Sequence, residues 1–514
     1  MDNDTKQKTI LFFPLNSPGH INSSLGIADR MKRESGFRTM FLIFGKMIGT
    51  SIEDHGHELI VLEEVSPFED YEIEDHEDQG ESVDEERKKA EQKTKRKFEG
   101  VFKWPQLIRR YSKILRKDPV EAFIQSTKIF EIWMLSELID NHDNCSKVIE
   151  EISPDLIVID AYYIPPCVVN SRVPWVRLYS ANPLMLAQSK LPGGLKPPPM
   201  CGFSLYDKKT RLTIKDEQPE RWEQILAKWK EAAEKIVDAI SSSGQTFNDF
   251  LKANGCAPLA PGQQAHDSPH LNLYMFPKEL DYDQDDDLLE YPTRWVRCDS
   301  LVRQLSEPGS RESKEFAEWR EILDLRARGK QKVVFFSLGS LASGDHKLMA
   351  RYVDYLRQDQ SRLYVVSKGV NGDEYELPEG NMVGANYLPQ TLVLEKADLA
   401  IIHGGNNSVT ECLYYGKPMI VLPVFSDQLD NAQRIEDLKY GYRLDVHQCS
   451  QKQLLDTIDR ILNDEEMIQR VASVGARMRS RDNLAMIMEL LTELTTDGSL
   501  DEKSIRDYRS KSSD

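Results

Sequence analysis

A chain of 514 residues with 40% hydrophobic composition is long enough for two domains, each burying its own core. Its net charge of −18 leaves no basic excess to neutralise phosphates, which excludes nucleic acid as a general partner. The seven scattered cysteines form no C-x-x-C pair, so a reduced protein without a disulfide framework or zinc ribbon is expected.

The opening MDNDTKQKTILFFPLNSPGH holds an apolar run of only seven residues, Thr9 to Leu15, broken by Pro14 and too short for the core of a signal peptide. No run of about eighteen apolar residues follows. A cytoplasmic monomer without a membrane partner is therefore expected. Strand-like runs come at TILFFPL (9–15), TMFLIF (39–44), LIVL (59–62), LIVID (156–160), WVRLYS (175–180), LNLYMF (271–276) and RWVRCD (294–299), with a helix from about Ile21 to Glu34. Between them, residues 63–86 hold thirteen Asp and Glu and residues 87–97 hold seven Lys and Arg, a solvated loop leading into a charged helix. His55-Gly-His57 lacks a third metal ligand. DYDQDDD (281–287) reads as a surface loop with only a superficial likeness to a metal-binding D-x-D.

After a break at LSEPGSRES come KVVFFSL (332–338), LYVVSK (363–368), NMVGANYL (381–388), LAIIH (399–403), MIVLPV (419–424) and YRLDV (442–446). Most are continuous apolar runs, the mark of strands covered on both faces. Helices are predicted around 346–358, 408–415 and 428–439. The alternation gives an α/β class with two doubly wound, Rossmann-like domains facing across a cleft. The expected division is 1–300, a linker at 301–330, 331–480, and a C-terminal helix and polar tail at 481–514 packing back on the first domain. In such sheets ligands bind beyond the carboxyl ends of the strands.

Four stretches of the second half point to a phosphate-bearing ligand. FFSLGSLASG (335–344) turns sharply after a strand, but Asp345 and His346 stand where a P-loop needs Lys and Ser or Thr, so a Walker site is excluded. No G-x-G-x-x-G dinucleotide fingerprint occurs at either glycine turn. LAIIHGGNNSVTECLYYGKP (399–418) runs from strand to helix through small polar residues. Asn407 or Ser408 would cap that helix and leave N–H groups at its positive end for an anion, with His403 as a further donor. Ser408 and Glu411 equally fit a capping box. In YLPQTLVL (387–394), Tyr387 either stacks on a flat base or fills the core. In LPVFSDQLDN (422–431), Asp427 and Gln428 offer acceptors and donors to a polyhydroxyl ligand, although Ser426-Asp427 also suits a helix cap.

Taken in this order, from roughly Phe335 to Asn431, the four stretches resemble the donor-binding signature of the UDP-glycosyltransferases, family 1 of the glycosyltransferases. The resemblance implies a GT-B fold with an acceptor-binding N-terminal domain and a C-terminal domain that binds a UDP-sugar. It implies Tyr387 stacked on uracil, the Leu388 main chain at the base edge, Gln390 beside the nucleoside, and Glu411 on the ribose hydroxyls. Ser340, His403, Asn407, Ser408 and the Gly405 main chain would hold the diphosphate, with Asp427 and Gln428 on sugar hydroxyls. Asn406 departs from the pattern of plant members, which carry Trp there.

The resemblance also makes His20, in NSPGHINS, the general base. Imidazole, with a pKa near 6.5, can take the proton of an attacking hydroxyl. The resulting imidazolium needs a fixed carboxylate. Of the two candidates in SPDLIVIDAYY, Asp155 precedes its strand and Asp160 ends it on the cleft side, so Asp160 takes the role. The implied activity is inverting, metal-independent transfer of a hexose, glucose first, from a UDP-sugar such as UDP-glucose to a hydroxyl of a small lipophilic acceptor. A phenol, flavonoid or xenobiotic fits, in detoxification. The alternatives are a UDP-sugar epimerase and a non-catalytic UDP-sugar-binding protein. Acceptor contacts are expected from the 98–135 region, with Trp104 and Trp133, and from the proline-rich 183–203 segment.

Overall fold

The computed structural model describes residues 7–45, 52–62, 112–282, 288–302, 311–327 and 331–513. The acidic 63–86 segment, the basic 87–97 stretch, Trp104, the side chain of Trp133 and residues 283–287 lie outside that description. No helix among the described residues is long and apolar enough to cross a membrane.

Two parallel sheets carry the chain. The first joins β1 (Thr9–Pro14), β2 (Arg38–Phe44), β3 (Glu58–Leu62), β4 (Leu156–Asp160), β5 (Trp175–Tyr179), β7 (Leu271–Met275) and β9 (Trp295–Cys298) in the order β3-β2-β1-β4-β5-β7-β9. A small antiparallel pair, β6 (Gln188–Ser189) and β8 (Leu289–Glu290), stands apart. The second sheet joins β10 (Val333–Ser337), β11 (Leu363–Ser367), β12 (Met382–Ala385), β13 (Leu399–Ile402), β14 (Met419–Val421) and β15 (Gly441–Arg443) in the order β12-β11-β10-β13-β14-β15. Every strand expected from the apolar runs is present within one to three residues of its predicted ends. Strands such as β1, β4 and β10 are buried at every position, which is why they read as unbroken apolar runs.

Both sheets reverse their strand order in the middle, at β1/β4 and at β10/β13. Such switch points open a crevice at the carboxyl ends. At the first, Pro14 of β1 is in register with Asp160 of β4, and α1 (Pro18–Ser35) begins just beyond. At the second, Ser337 of β10 is in register with Ile402 of β13. α1 starts three residues earlier than expected because Pro18 suits the first helical turn, where a missing N–H costs nothing. Part of the expected linker is itself a helix, Arg311–Ala327.

The two halves share buried surface. One apolar cluster runs from Trp222, Trp229, Phe276 and Tyr282 of the first half into Phe335, Phe336 and Leu338 of the second. Helices at the C-terminus, Asn483–Asp497 and Glu502–Ser513, place Ile487, Leu491, Leu494 and Tyr508 in the core of the first sheet. The Tyr508 hydroxyl donates to the Arg297 carbonyl at 2.7 Å.

One reading of a charged segment is corrected. Asp281 does not sit on a surface loop: it is fully buried, accepts from the hydroxyls of Tyr274 and Tyr291 at 2.8 Å each, and pairs with Arg297 at 3.0 Å. His55 and His57, expected to lack a third metal ligand, belong to no group that could hold a metal ion among the described residues, although both meet one carboxylate. Asp29 of α1 lies 3.2 Å from His55 Nδ1 and 2.9 Å from His57 Nε2, and Thr39 Oγ1 lies 2.7 Å from the other nitrogen of His57. Sequence spacing missed it because Asp29 comes from a different element. The trio ties α1 to the segment leading into β3.

Removing one member of a buried ion pair strands its partner's charge, at a cost of about 3–5 kcal/mol. Asp281→Ala is therefore expected to lower the stability of the chain by that amount in denaturant titration. An unchanged unfolding midpoint would contradict this packing.

Candidate active site

The carboxyl ends of the two sheets meet in a cleft of about 290 Å³. His20, Tyr162 and Ser180 line it from the first sheet. Ser340, Tyr387, Gln390, His403, Asn407, Glu411, Asp427 and Gln428 line it from the second. Leu388, Gly405, Asn406 and Ser408 complete the wall.

His20 stands in the first turn of α1, and its Nδ1 lies 2.9 Å from Asp160 Oδ1. Asp160 is the last residue of β4 and only 2% exposed. Burial works against a charged imidazole, but the charge and hydrogen bond of Asp160 outweigh it, and the His20 pKa is raised above its ordinary value. Asp427, from the other domain, adds to that rise. With Nδ1 committed to Asp160, Nε2 is left for the cleft. Ser180 Oγ also lies 3.1 Å from Nδ1, and the Tyr162 ring packs edge-on at 5.7 Å. Neither was singled out by spacing, since each follows a strand whose partner at the site comes from elsewhere in the chain. Asp155 is at the opposite end of β4, where it pairs with Lys8 and accepts from the Thr9 N–H at 2.8 Å.

Across the cleft, α3 (Asn406–Tyr414), so numbered after α2 (Pro119–Asp140), has Gly405 as its N-cap. The expectation that Asn407 or Ser408 caps the helix is thus corrected. The capping-box alternative fails for the same reason, because Ser408 already lies in the first turn and Glu411 cannot reach back from it as that motif requires. Glu411 instead accepts from Gln390 Nε2 at 2.6 Å, and the same amide lies 3.2 Å from Ser408 Oγ. Gln390, Ser408 and Glu411 form one polar group beside Tyr387, which is 41% exposed and so is not a core tyrosine.

His403 lies between two glycine turns. A Cβ on Gly339 would come within 2.4 Å of its ring, and one on Gly405 within 2.5 Å. Gly339 also has φ +71°, a conformation costly for other residues. Burial alone pushes the His403 pKa down to about 4, so its imidazole is neutral at physiological pH, and its Nδ1 is buried without a partner. It offers a neutral donor where two main-chain turns converge.

Asp427 and Gln428 open α4 (Gln428–Asp437). Ser426 before them has φ +58°, strain of a kind that costs roughly 1–3 kcal/mol and gathers at functional sites. Gln428 Oε1 accepts from the Val424 N–H at 3.0 Å, which orients its amide nitrogen away from its own loop. Asp427 accepts from the Asn182 N–H at 3.1 Å, and burial raises its pKa to about 6. The 183–203 segment follows Asn182 along the seam between the domains: Met200, Cys201 and Gly202 donate their N–H groups to Asp430 of α4. Among the described residues none of 183–203 lines this cleft itself, but Met200 Sδ lies 3.5 Å from the hydroxyl of Ser426, which does.

Residues 288–477 match the family described as UDP-glucoronosyl and UDP-glucosyl transferase. The uncharacterized UDP-glucosyltransferase YdhE of Bacillus subtilis (strain 168) is 26% identical over 166 residues, 32% of this chain and 42% of that protein. UDP-glucuronosyltransferase 1A4 of Homo sapiens is 27% identical over 260 residues, 46% of each. The matches span less than half the length of these curated relatives. Among solved structures, the glycotransferase of kitacinnamycin aligns with TM-score 0.57 at 17% identity, covering 95% of this chain and 99% of that one. The calicheamicin glycosyltransferase CalG4 aligns with TM-score 0.56 at 15% identity and the same coverage. The shared fold is GT-B.

The electrostatics of His20 are testable directly. In histidine-labelled protein its imidazole is expected to titrate above pH 6.5, and Asp160→Asn, which removes the raising charge, moves the titration to lower pH. A His20 resonance unmoved by that substitution would contradict the pairing.

Proposed function

We propose that this chain, which carries a UDP-glycosyltransferase domain on a GT-B fold, transfers a hexose from a UDP-sugar to a hydroxyl of a small lipophilic acceptor, inverting the anomeric carbon without a metal. The observation that carries the reading is the His20–Asp160 pair at 2.9 Å facing the Tyr387, Gln390, His403 and Glu411 group across one cleft. In this reading His20 Nε2 takes the proton of the acceptor hydroxyl as its oxygen attacks the anomeric carbon. The bond from that carbon to the diphosphate oxygen breaks, and UDP leaves. The proton stays on His20, where Asp160 stabilises the imidazolium. Such a base contributes about 10²–10⁴-fold.

Negative charge growing on the leaving diphosphate falls at the start of α3, where free N–H groups and the helix dipole favour an anion. Neutral His403, with Ser340 and Ser408 lining the same cleft, supplies further hydrogen-bonding groups, whereas the Asn407 amide, expected there, is taken up by Gly19 and Ser23 of α1. In this reading Tyr387 stacks on the base, with the Leu388 main chain at its edge. Gln390 and Glu411 suit the ribose, and Asp427 and Gln428 suit the hexose. Glucose is favoured by the similarity to a bacterial UDP-glucosyltransferase and is compatible with Gln428. A lipophilic acceptor, such as a phenol, a flavonoid or a foreign compound to be detoxified, is the class this reading assigns, and a small, largely apolar pocket of about 30 Å³ lies on the His20 side. It adjoins the cleft at Tyr162 and is lined by Phe13, Phe44, Leu138, Ile159 and Tyr163.

Incubation with several UDP-sugars and a panel of phenols and flavonoids, read by mass spectrometry, tests the reading. Glycoside formation is expected, most strongly with UDP-glucose. Tight UDP binding without a glycoside from any donor would contradict it. His20→Ala is expected to lower turnover by about 10²–10⁴-fold while leaving UDP affinity intact, and a large loss of UDP binding would place His20 elsewhere. Because the His20 pKa is raised, kcat/KM should fall as pH drops through a value above 6.5, where the base becomes protonated. Gly405→Ala, which forces the His403 ring aside, is expected to weaken UDP binding at least about tenfold, the size of one lost charge-assisted hydrogen bond. Unchanged affinity by calorimetry would remove His403 from the diphosphate site.

A further inference from the structure

Asn406, the first residue of α3, has no place in the donor-site assignments above. Its side chain is buried and leaves its own domain. Nδ2 donates to the Ser180 carbonyl at 2.9 Å and to the Met275 carbonyl at 2.7 Å. Those oxygens lie just past the end of β5 and at the end of β7. The two N–H bonds of one amide thus span two neighbouring strands of the opposite sheet. The orientation is fixed, because a flipped amide would set oxygen against oxygen. The cost is visible: Asn406 Oδ1 is buried with no partner, which works against folding.

Asn407 makes a second attachment. Its Nδ2 donates to the Gly19 carbonyl, and its Oδ1 accepts from Ser23 Oγ at 3.0 Å, both on α1. A Cβ on Gly19 would come within 3.3 Å of the Asn407 amide nitrogen, so the approach is close. The residues gripped are those around the base. Gly19 immediately precedes His20, and Ser180 Oγ lies 3.1 Å from His20 Nδ1.

We propose that Asn406 is a positioning residue that holds the start of α3 in register with the His20 loop, with Asn407 as its second anchor. The proposal rests on the transfer reading. Transfer needs the acceptor oxygen, held by one domain, within about 3–3.5 Å of a carbon held by the other, and a misplacement of about 1 Å can cost 10²-fold. The α4 seam keeps the domains together without Asn406, through Asp430 and through Arg434, which donates to the carbonyls of Leu280 and Asp281 at 2.8 Å each. Loss of Asn406 therefore loosens the register of the cleft without parting the domains.

Asn406→Ala and the isosteric Asn406→Asp, which lacks both donors, test this beside the unaltered chain and His20→Ala. UDP affinity by calorimetry, kcat and KM for the best donor, melting temperature, and the ratio of free sugar to glycoside would be measured. Expected are a kcat lowered about 10–100-fold, UDP affinity within about threefold, and a larger share of UDP release ending as free sugar, because water replaces a misplaced acceptor. An unchanged kcat overturns the proposal. So does a loss of UDP affinity in step with kcat, which would make Asn406 part of the donor site. Melting of both variants below the assay temperature would assign it to folding alone and also overturn the proposal. Failure of the transfer reading shows separately, in the unaltered chain, as UDP binding without glycoside.

Discussion

The cleft depends on the polar seam along α4. Asp427, Asp430, Asn431, Arg434 and Asp437 recur at helical spacing and turn one face toward the first domain. Their partners there are mostly main-chain groups: the N–H groups of Asn182, Met200, Gly202, Leu205 and Tyr206, and the carbonyls of Leu280 and Asp281. Asn431 accepts from the Asn182 amide at 2.8 Å and donates to the Gly404 carbonyl at 2.9 Å, so one side chain links the first domain to the glycine turn before α3. Buried polar groups this well matched fix a single arrangement. Burial still raises the Asp430 pKa to about 7 despite three N–H donors, so the seam forms at a desolvation cost.

That fixed seam sets two switch points face to face, and the chemistry divides between them. On the proposed reading the first supplies the base, a histidine whose pKa is raised by a buried carboxylate. The second supplies a helix end, glycine turns and a neutral imidazole. Among the described residues lining the cleft none is Lys or Arg. Stabilisation of a leaving diphosphate would fall on N–H dipoles already aimed before the reaction, which lose no energy to reorganisation. Asp427 belongs to both halves of this arrangement, bonding Asn182 in the seam while its charge reaches His20.

Much of this was legible in the sequence because its signals are local. Fully buried parallel strands such as LIVID and LAIIH are continuous apolar runs. The turn chemistry of HGGNNS announces a strand-to-helix transition whatever surrounds it. What escaped were relations between distant segments. Asp29 between His55 and His57, Ser180 beside His20, and Asn406 on Ser180 and Met275 each join residues from separate elements, and spacing along the chain carries no trace of them. The helix cap was misplaced by two or three residues because Asn and Ser are the usual caps, whereas here the cap falls on Gly405, whose lack of a side chain makes room for His403. DYDQDDD misled for a related reason: charge predicts solvent, but Asp281 is held inside by two tyrosine hydroxyls and an arginine.

The proposed reading, with a base on one domain and a leaving-group site on the other, calls for a single displacement at the anomeric carbon. The anomeric configuration of the product, read by proton NMR of the purified glycoside, tests this most directly. From an α-linked UDP-hexose, attack by the acceptor activated at His20 gives the β-glycoside. An α-glycoside as the initial product would require a second displacement or a front-face path, and would contradict the role given to His20 and Asp160.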